Sequence, residues 1–357
     1  MLVRFDELRG TLERALLRLG VTGERAALSS RLIAEADRDG VHTHGIARFP
    51  LFADMITAGH LSATAEPTVT ARFGALERWN GNLGPGNLAA HAAMARAMEL
   101  AAQHGLGGVA MANTAHWQRA GTYGWQAAEA GFAAICWTNT LPNLPPWGAT
   151  TPALGNNPLV IAIPREGDGG PAPIVLDMAM SQYSYGTLAA YRQRGQALPF
   201  AGGFDAAGEL TTDAGAIETS RRALPIGLWK GSGLSFALDV LGAMLADGQA
   251  TYQIPNDFTQ EMGLSQVFLA MSPEALRSNE GMRAIASEAI AFLHAAEPIV
   301  AGRPARYPGE RTLETRAENL AKGVPVPEAP WATTQRLAAG EVRVAPVDRG
   351  PLGFAER

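Results

Sequence analysis

The chain contains a single cysteine, and the lack of a second one limits both its cross-linking and its metal chemistry. Cys136 cannot form an internal disulfide, and one thiol cannot build a cysteine zinc site. It lies in an apolar run that predicts a strand over residues 133–137. We therefore expect Cys136 to be a buried, small hydrophobic side chain.

Long apolar runs and clusters of basic residues are also missing. No stretch of about 18 apolar residues occurs, and the N-terminus becomes polar at Arg4 without the apolar core of a signal peptide. The formal net charge is -5, and no run of Lys or Arg is present. We therefore expect a cytoplasmic protein, with neither nucleic acid nor a membrane surface as its main partner.

The length and composition are those of a compact enzyme with more than one core. The 357 residues are 47% hydrophobic and 18% charged. Helical spacing of leucines predicts two helices that stop before Gly20 and Gly40, and a third from about Pro50. We expect a helical N-terminal segment (1–70), an α/β core (71–300) and a C-terminal extension closing on the core (301–357).

Two histidines, a hydroxyl group and an arginine fall within the loop after the second predicted helix. An imidazole gives and takes a proton near neutrality, and a guanidinium matches a carboxylate. Gly45 has no Cβ, so we expect a ligand to approach the backbone beside His44. The pattern indicates a proton donor, His44, beside a carboxylate anchor, Arg48. Loop polarity at the surface and half of a metal site are the alternatives.

A β-α-β pattern follows, with strands at 75–79 and 108–112 around a helix from Leu88 to Gln103. Its turn, Gly84-Pro85-Gly86-Asn87-Leu88-Ala89, fits the dinucleotide fingerprint G-x-G-x-x-[GA]. The second strand, however, ends in Asn113-Thr114, where the fingerprint requires an acidic residue for the ribose. The Rossmann interpretation is therefore disfavoured.

Three later segments suggest a site for a ligand. Residues 174–176 predict a buried central strand that ends at Asp177. At that position its carboxylate is suited to bind a ligand hydroxyl or to orient an imidazole, and the alternative is that Asp177 only caps a backbone segment. Residues 198–220 are irregular and glycine-rich, as lids often are. A helix is predicted over 234–246, shortly after Lys230. The lysine and the N–H groups of residues 231–233 at the start of this helix predict an anion site suited to a pyrophosphate. The alternative is that residues 231–233 form a plain glycine turn.

Motifs along nearly the whole chain, from about Phe5 to Trp331, resemble the malate/L-lactate dehydrogenase type 2 family. They are His44-Gly45 with Arg48-Phe49-Pro50, Ala115-His116-Trp117, Cys136-Trp137-Thr138-Asn139, Pro145-Pro146-Trp147-Gly148-Ala149, Gly155-x-Asn157-Pro158 and Gly227-Leu228-Trp229-Lys230-Gly231-Ser232-Gly233.

This resemblance implies a non-Rossmann α/β fold, a mixed sheet flanked by helices with a helical N-terminal segment. It also implies a homodimer with its sites near the subunit interface, and it matches His44 to the family's proton donor. The nicotinamide cofactor segments match Pro173, Ile174, Val175, Leu176, Asp177, Met178, Ala179, Trp229, Lys230, Gly309, Glu310 and Arg311.

Two positions depart from the family pattern. The family commonly has Ser-His-Gly where this chain has Thr43-His44-Gly45, which keeps the hydroxyl and adds a methyl group. It commonly has Gly-Thr-Asn-Pro where this chain has Gly155-Asn156-Asn157-Pro158. The first change affects the fine shape of the substrate site, and the second affects a hydrogen bond on the cofactor side.

We expect reduction of a 2-oxo carboxylate by hydride from NADH, with Thr43, Arg48 and His116 contacting the substrate and His44 donating the proton. NADP is an alternative because Arg303, Arg306 and Arg311 are basic. Other substrates of the family are malate, lactate, sulfolactate, ureidoglycolate or a cyclic imine carboxylate. Outside this class stand a metal-dependent hydrolase or lyase using His42, His44 and His116, and a non-catalytic protein that binds sugar acids.

Overall fold

The computed structural model describes residues 1–167, 170–272 and 279–341. The strands are β1 (Leu2–Val3), β2 (Thr68–Phe73), β3 (Leu76–Asn80), β4 (Leu106–Ala115), β5 (Ala133–Thr138), β6 (Leu159–Ile163), β7 (Glu166–Gly167), β8 (Gly170–Pro171), β9 (Ile174–Met178), β10 (Gly203–Phe204), β11 (Leu210–Thr211), β12 (Met262–Met271) and β13 (Val324–Pro325). The helices are α1 (Phe5–Arg18), α2 (Gly23–Arg38), α3 (Phe49–Thr57), α4 (Gly86–His104), α5 (Gly121–Glu129), α6 (Tyr185–Gln193), α7 (Ala214–Ser220), α8 (Trp229–Ala246), α9 (Asn279–His294), α10 (Glu310–Lys322) and α11 (Glu328–Ala339).

A mixed seven-stranded sheet forms the centre, in the order β2-β3-β4-β12-β5-β6-β9. β3 and β4 are parallel, as expected for strands joined by the helix α4, while the other neighbours in the sheet pair antiparallel. The predicted β-α-β unit and the predicted mixed sheet flanked by helices are therefore confirmed.

Helices cover both faces of the sheet, each with its own apolar core. On one face the small side chains of α4 and α5 pack with Trp117, Tyr123 and Phe268. On the other face α8 packs against the sheet with Trp137 and Leu238. Because α4 is rich in alanine, it lies close to β4 and β12.

The N-terminal helices and the C-terminal segment share a third core. Leucines at helical spacing in α1 are buried against Trp331 and Leu337 of α11, and β1 pairs with β13. Within the predicted C-terminal extension (301–357), α11 packs on the N-terminal helices, and residues 342–357 lie outside the described residues. The loop after α2 thus contacts α11 as well as α2.

Three sequence-based expectations need correction. β9 is an edge strand of the sheet and not a central one. On its free side none of the described strands pairs with it, and the main-chain N–H of Val175 donates to Pro308 O at 2.9 Å. Residues 198–220 are not irregular throughout, since they contain the β10–β11 hairpin and α7. The helix expected from residue 234 begins at Trp229, so Lys230 lies within its first turn.

The glycine-rich turn before α4 serves packing. A Cβ at Gly84 would lie 2.5 Å from Ala65 O, and one at Gly86 would lie 2.5 Å from Ala115 O. These glycines let main chains approach each other. The glycines of the turn therefore have a packing role, and their match to the dinucleotide fingerprint does not indicate a cofactor site. Among the helices described, none is long and apolar enough to cross a membrane.

Candidate active site

A cavity of about 950 Å³ lies where the loop after α2, the β4–α5 loop, β9 and the segment before α10 meet. His44, Arg48 and His116 all line it, as does Thr43. The four side chains predicted to contact the substrate or its proton are therefore brought together, although His116 is 72 residues from His44 in the sequence.

The loop that carries His44 consists of two short 3-10 turns, His42–His44 and Ile46–Arg48, joined by Gly45. Asp37, at the end of α2 and fully buried, accepts a hydrogen bond of 2.6 Å from the Ile46 N–H and lies 3.3 Å from His42 Nδ1. A Cβ at Gly45 would lie 2.2 Å from Asp37 Oδ2. Gly45 therefore makes room for Asp37 and not, as expected, for a ligand.

His44 is half-buried, and its Nδ1 shares a hydrogen bond of 3.0 Å with Thr43 Oγ1. Burial in the cavity wall and repulsion by Arg48 and Arg119 lower the pKa of His44 to about 4. The extra methyl of Thr43 packs toward Gly186, where a Cβ would lie 2.4 Å from it. The absence of a side chain at Gly186 thus accommodates the departure at Thr43.

His116 stands beside His44 with nearly parallel rings, their centroids 5.7 Å apart and their planes at 18°. The main-chain N–H of Gln118 donates to His116 Nδ1 at 3.1 Å. Burial, with the charges of Arg48 and His44, holds the pKa of His116 well below its usual value. His116 is therefore a neutral ring in this cavity.

Arg48 is held by a partner that the sequence does not suggest. Its Nη2 lies 2.6 Å from Glu261 Oε2, in an ion pair between the residue that precedes β12 and the loop after α2. Glu261 is buried and also lines the cavity. One of the five guanidinium N–H groups is used here, so the others remain for an anion.

A second guanidinium, that of Arg119, lines the cavity and is almost fully buried. Its Nη1 donates to Asp39 Oδ2 at 2.6 Å, and its Nε lies 3.9 Å from Asp177 Oδ2. Asp177 also accepts a hydrogen bond from the Gly121 N–H at 2.9 Å. Burial raises the pKa of Asp177, although Arg119 and the Gly121 N–H oppose this.

Part of the expected cofactor segments also lines the cavity. Val175, Leu176, Asp177 and Ala179 line it together with Gly309. Gly309 has φ +97°, and a Cβ there would lie 3.1 Å from Val175 N. This close approach leaves main-chain surface in the cavity lining, and such a lining fits a nicotinamide cofactor.

The remaining expected cofactor residues do not line this cavity in the described part of the chain. They are Pro173, Ile174, Met178, Trp229, Lys230, Glu310 and Arg311. The Glu310 carboxylate turns back to accept a hydrogen bond from the Tyr307 N–H at 3.1 Å, and it lies 3.2 Å from His294 Nε2. It therefore fixes the loop before α10.

At the start of α8, two of the three main-chain N–H groups predicted to bind an anion already have partners. The Gly231 N–H donates to Ile226 O at 2.8 Å, and the Ser232 N–H donates to Leu228 O at 3.2 Å. These groups are already satisfied because the helix begins earlier than expected. Of the predicted anion site, the Lys230 side chain is exposed and can still meet an anion.

Asn156 lines the cavity, where its side-chain oxygen accepts a hydrogen bond from the Ser181 N–H at 3.0 Å. This contact fixes Asn156, the second departure from the family pattern, to the segment after β9.

The alternative of a metal site would use His42, His44 and His116. His42 is turned toward Asp37, and the rings of His44 and His116 stack face to face. No set of three or more ligating side chains able to hold a metal occurs among the residues described.

Sequence reasoning missed Asp37, Gln118, Arg119 and Glu261. Gln118 and Arg119 follow His116 directly, so their proximity to the site could have been inferred from that loop. Asp37 lies five residues before His42, but nothing in its spacing indicates that it supports the Ile46 N–H. Glu261 is 213 residues from Arg48, and only the fold reveals their pairing.

Comparison with known proteins agrees with this architecture. The family model for malate/L-lactate dehydrogenase matches residues 3–335. The chain is 40% identical to 2,3-diketo-L-gulonate reductase from Shigella boydii serotype 4 (strain Sb227) over 338 residues, 94% of this chain and 100% of the relative.

Solved structures give the same result. A dehydrogenase from Sinorhizobium meliloti is 26% identical with a TM-score of 0.84, covering 95% of this chain and 98% of that one. For delta1-piperideine-2-carboxylate reductase from Pseudomonas syringae pvar. tomato the identity is 27% and the TM-score 0.82, over 94% and 99% of the two chains. The chain therefore belongs to the malate/L-lactate dehydrogenase family, and it is an oxidoreductase of the kind that uses a nicotinamide cofactor.

Proposed function

We propose that this enzyme reduces 2,3-diketo-L-gulonate, a 2-oxo carboxylate, in the cytoplasm by hydride transfer from NADH, with His44 as the proton donor. The observation that carries the proposal is that His44, Arg48 and His116 line the same cavity as residues of β9 and Gly309. The full-length similarity to 2,3-diketo-L-gulonate reductase favours this substrate over the others of the family.

Arg48 binds the substrate carboxylate. The ion pair with Glu261 fixes the position of the guanidinium, and its free N–H groups present a planar fork to the incoming anion. This contact orients the adjacent keto group for reaction. Arg119 adds positive charge nearby, but Asp39 already binds its Nη1. Arg48 is therefore the better placed of the two.

His44 supplies the proton to the carbonyl oxygen. In the free enzyme, burial and the neighbouring arginines disfavour its charged form. A carboxylate on Arg48 offsets this repulsion, so substrate binding favours the imidazolium. The bond between Thr43 Oγ1 and Nδ1 orients the ring. Substrate binding and proton uptake are thereby coupled.

When bound, the reduced nicotinamide supplies the hydride. Val175, Leu176, Asp177, Ala179 and Gly309 would hold it against the substrate. Arg306 also lines the cavity and pairs with Glu314 at 3.5 Å. Since Glu314 partly neutralises Arg306, we favour NADH, and NADPH stays the alternative to be measured.

We further propose a homodimer through α8. Trp229, Phe236 and Met244 of α8 are 66%, 60% and 71% exposed, so a helix packed against the sheet on one side presents apolar side chains on the other. Contiguous apolar surface of this kind marks an interface. A second copy would cover it and bring Trp229 and Lys230 toward a partner's cavity.

The test is the rate of NADH and NADPH oxidation with a panel of 2-oxo acids that includes 2,3-diketo-L-gulonate, pyruvate and oxaloacetate. Arg48→Lys keeps the positive charge and loses the planar fork. We expect this variant to raise KM for the 2-oxo acid well above its effect on KM for NADH. NADH fluorescence that changes on binding, without oxidation of any panel member, would favour the sugar-acid-binding alternative.

A further inference from the structure

His116 is restricted to one tautomer by the main chain. The Gln118 N–H, which can only donate, points at Nδ1 from 3.1 Å. Nδ1 must therefore present its lone pair, and the ring proton must lie on Nε2. An imidazolium would carry protons on both nitrogens and would lose this hydrogen bond.

The main chain at Gln118 is anchored on both sides. Gln118 has φ +66°, a left-handed conformation that costs free energy for a residue with a side chain. Before it, the Tyr123 hydroxyl donates to Trp117 O, and after it Arg119 is bound to Asp39. Such anchoring maintains a strained conformation, and here its result is an N–H aimed at His116.

The position of His116 makes this tautomer useful to the reaction. Its ring is parallel to that of His44 and lines the same cavity, with Arg48 close to both. A neutral imidazole that donates through Nε2 can stabilise negative charge on a carbonyl oxygen without competing for the proton. The two histidines can therefore have different tasks although they are the same residue type.

We propose that His116 is a second catalytic residue, which donates a hydrogen bond from Nε2 to the carbonyl oxygen of the substrate and never releases its proton. This rests on the proposed function and extends it. The carbonyl carbon accepts the hydride, the C=O π electrons move to oxygen, and His44 protonates that oxygen. His116 holds the developing oxyanion throughout and ends the cycle unchanged.

Three substitutions at one position test the role. The amide nitrogen of His116→Gln reaches about as far as Nε2 and keeps a neutral donor, whereas His116→Asn is shorter and His116→Leu has no donor. We expect kcat within about tenfold of wild type for Gln, and losses on the order of 10²–10³-fold for Asn and Leu. All three should keep the wild-type dependence of the rate on pH, because His116 does not titrate. A Gln variant as slow as the Leu variant, or one with an altered pH profile, overturns the proposal.

Nitrogen NMR of the full-length protein labelled in histidine gives a readout independent of turnover. The His116 signals, assigned by their loss in His116→Gln, should show an unprotonated Nδ1 and a protonated Nε2 between about pH 5 and 8. A proton on Nδ1 in this range refutes the assignment even if the enzyme reduces 2-oxo acids. If the tautomer is as stated but no 2-oxo acid is reduced, the proposed function fails and the catalytic role of His116 fails with it.

Discussion

The proposed acid, His44, and the proposed anion anchor, Arg48, are neighbours, so the charge of Arg48 affects the proton affinity of His44. The free-enzyme pKa of His44 is about 4 because burial and Arg48 disfavour the imidazolium. The proposed reduction requires that imidazolium. We therefore expect kcat/KM for reduction, which reports the free enzyme, to fall about tenfold per pH unit above this pKa, while kcat holds to higher pH. For oxidation of the product, where His44 accepts the proton, kcat/KM should instead rise with pH. Initial rates measured in both directions across pH give the comparison, and the same pH trend for reduction and oxidation would contradict the assignment.

Replacement of His44 tests the proton donor directly. His44→Asn keeps a small polar side chain in the loop, so we expect a normal fold and NADH affinity with kcat lowered on the order of 10²–10⁴-fold. Thr43→Ala removes the hydroxyl that contacts the ring, together with the methyl group, and should cost less; Thr43→Ser, which keeps the hydroxyl, should cost least. Steady-state kinetics with NADH titrations measure both effects. Near-normal turnover in His44→Asn would require another proton source.

The buried carboxyl group of Asp37 should make stability depend on pH. Burial raises its pKa from 3.8 to about 6, although His42 and the Ile46 N–H favour the ionised form. A raised pKa means that the folded state prefers the protonated form, so wild-type stability should decrease as pH rises from about 4 to about 6. Asp37→Asn removes this titration and should lack the decrease. Urea unfolding of both proteins across this range gives the comparison, and parallel curves would refute the expectation.

Some of these residues were predictable from sequence and others were not, for a physical reason. His44 and Arg48 are close in the chain, and their side-chain chemistry alone suggests a proton donor and an anion site. Asp37 and Gln118 act through main-chain N–H groups, whose direction depends on local dihedral angles. Glu261 reaches Arg48 only because β12 pairs beside β4.

At the scale of elements, α10 is fastened by a buried cluster of charges. Arg316 Nε and Nη2 donate to the two oxygens of Asp39 at 2.9 and 2.8 Å, and its guanidinium stacks on Trp125. Burial alone would raise the pKa of Asp39, but Arg316, Arg119 and Arg38 hold it well below its usual value. The cluster thereby joins α2, α10 and the β4–α5 loop around the cavity.

Breaking this cluster should cost much more than breaking a surface pair on the same helix. Arg316→Met removes two charge-assisted hydrogen bonds from Asp39, which keeps Arg119 and Arg38, and we expect it to lower the free energy of unfolding by about 1.5–3 kcal/mol. Lys322→Met breaks an exposed, solvent-screened pair with Glu318 and should leave the stability nearly unchanged. Urea unfolding measures both. Because α10 follows Gly309, Arg316→Met should also raise KM for NADH; equal stability losses would contradict the assignment.

Elements with a strong periodic pattern were predictable, whereas positions that depend on partners were not. α1 and α2 follow from leucine spacing, and β3-α4-β4 follows from alternating strand and helix patterns. β9 reads as a central strand because it is apolar, yet Pro308 covers its outer edge. The start of α8 was misplaced because Gly231 and Gly233 suggest a loop, although tertiary packing keeps them helical.

For the whole molecule, the exposed apolar side of α8 predicts association. A stable dimer of this kind should bury roughly 2,000 Å² or more. Phe236→Glu places a charge in the middle of this side and should shift the protein toward monomers with reduced activity. Leu17→Glu changes an exposed leucine of α1 and should leave the dimer intact. Sedimentation velocity over a dilution series decides, and a fully active monomer on dilution would refute the dimer.

Mixing two inactive or impaired chains tests whether each site takes residues from both subunits. Lys230 does not line the cavity of its own chain, yet it lies at the exposed apolar end of α8. If Lys230 serves the partner's cofactor, Lys230→Ala should raise KM for NADH more than KM for the substrate. A heterodimer of this variant with His44→Asn then contains one site with both native residues, and it should recover the wild-type KM for NADH. If Lys230 serves its own chain, the mixed dimer keeps the high KM, so purified heterodimers carrying two different tags separate the two arrangements.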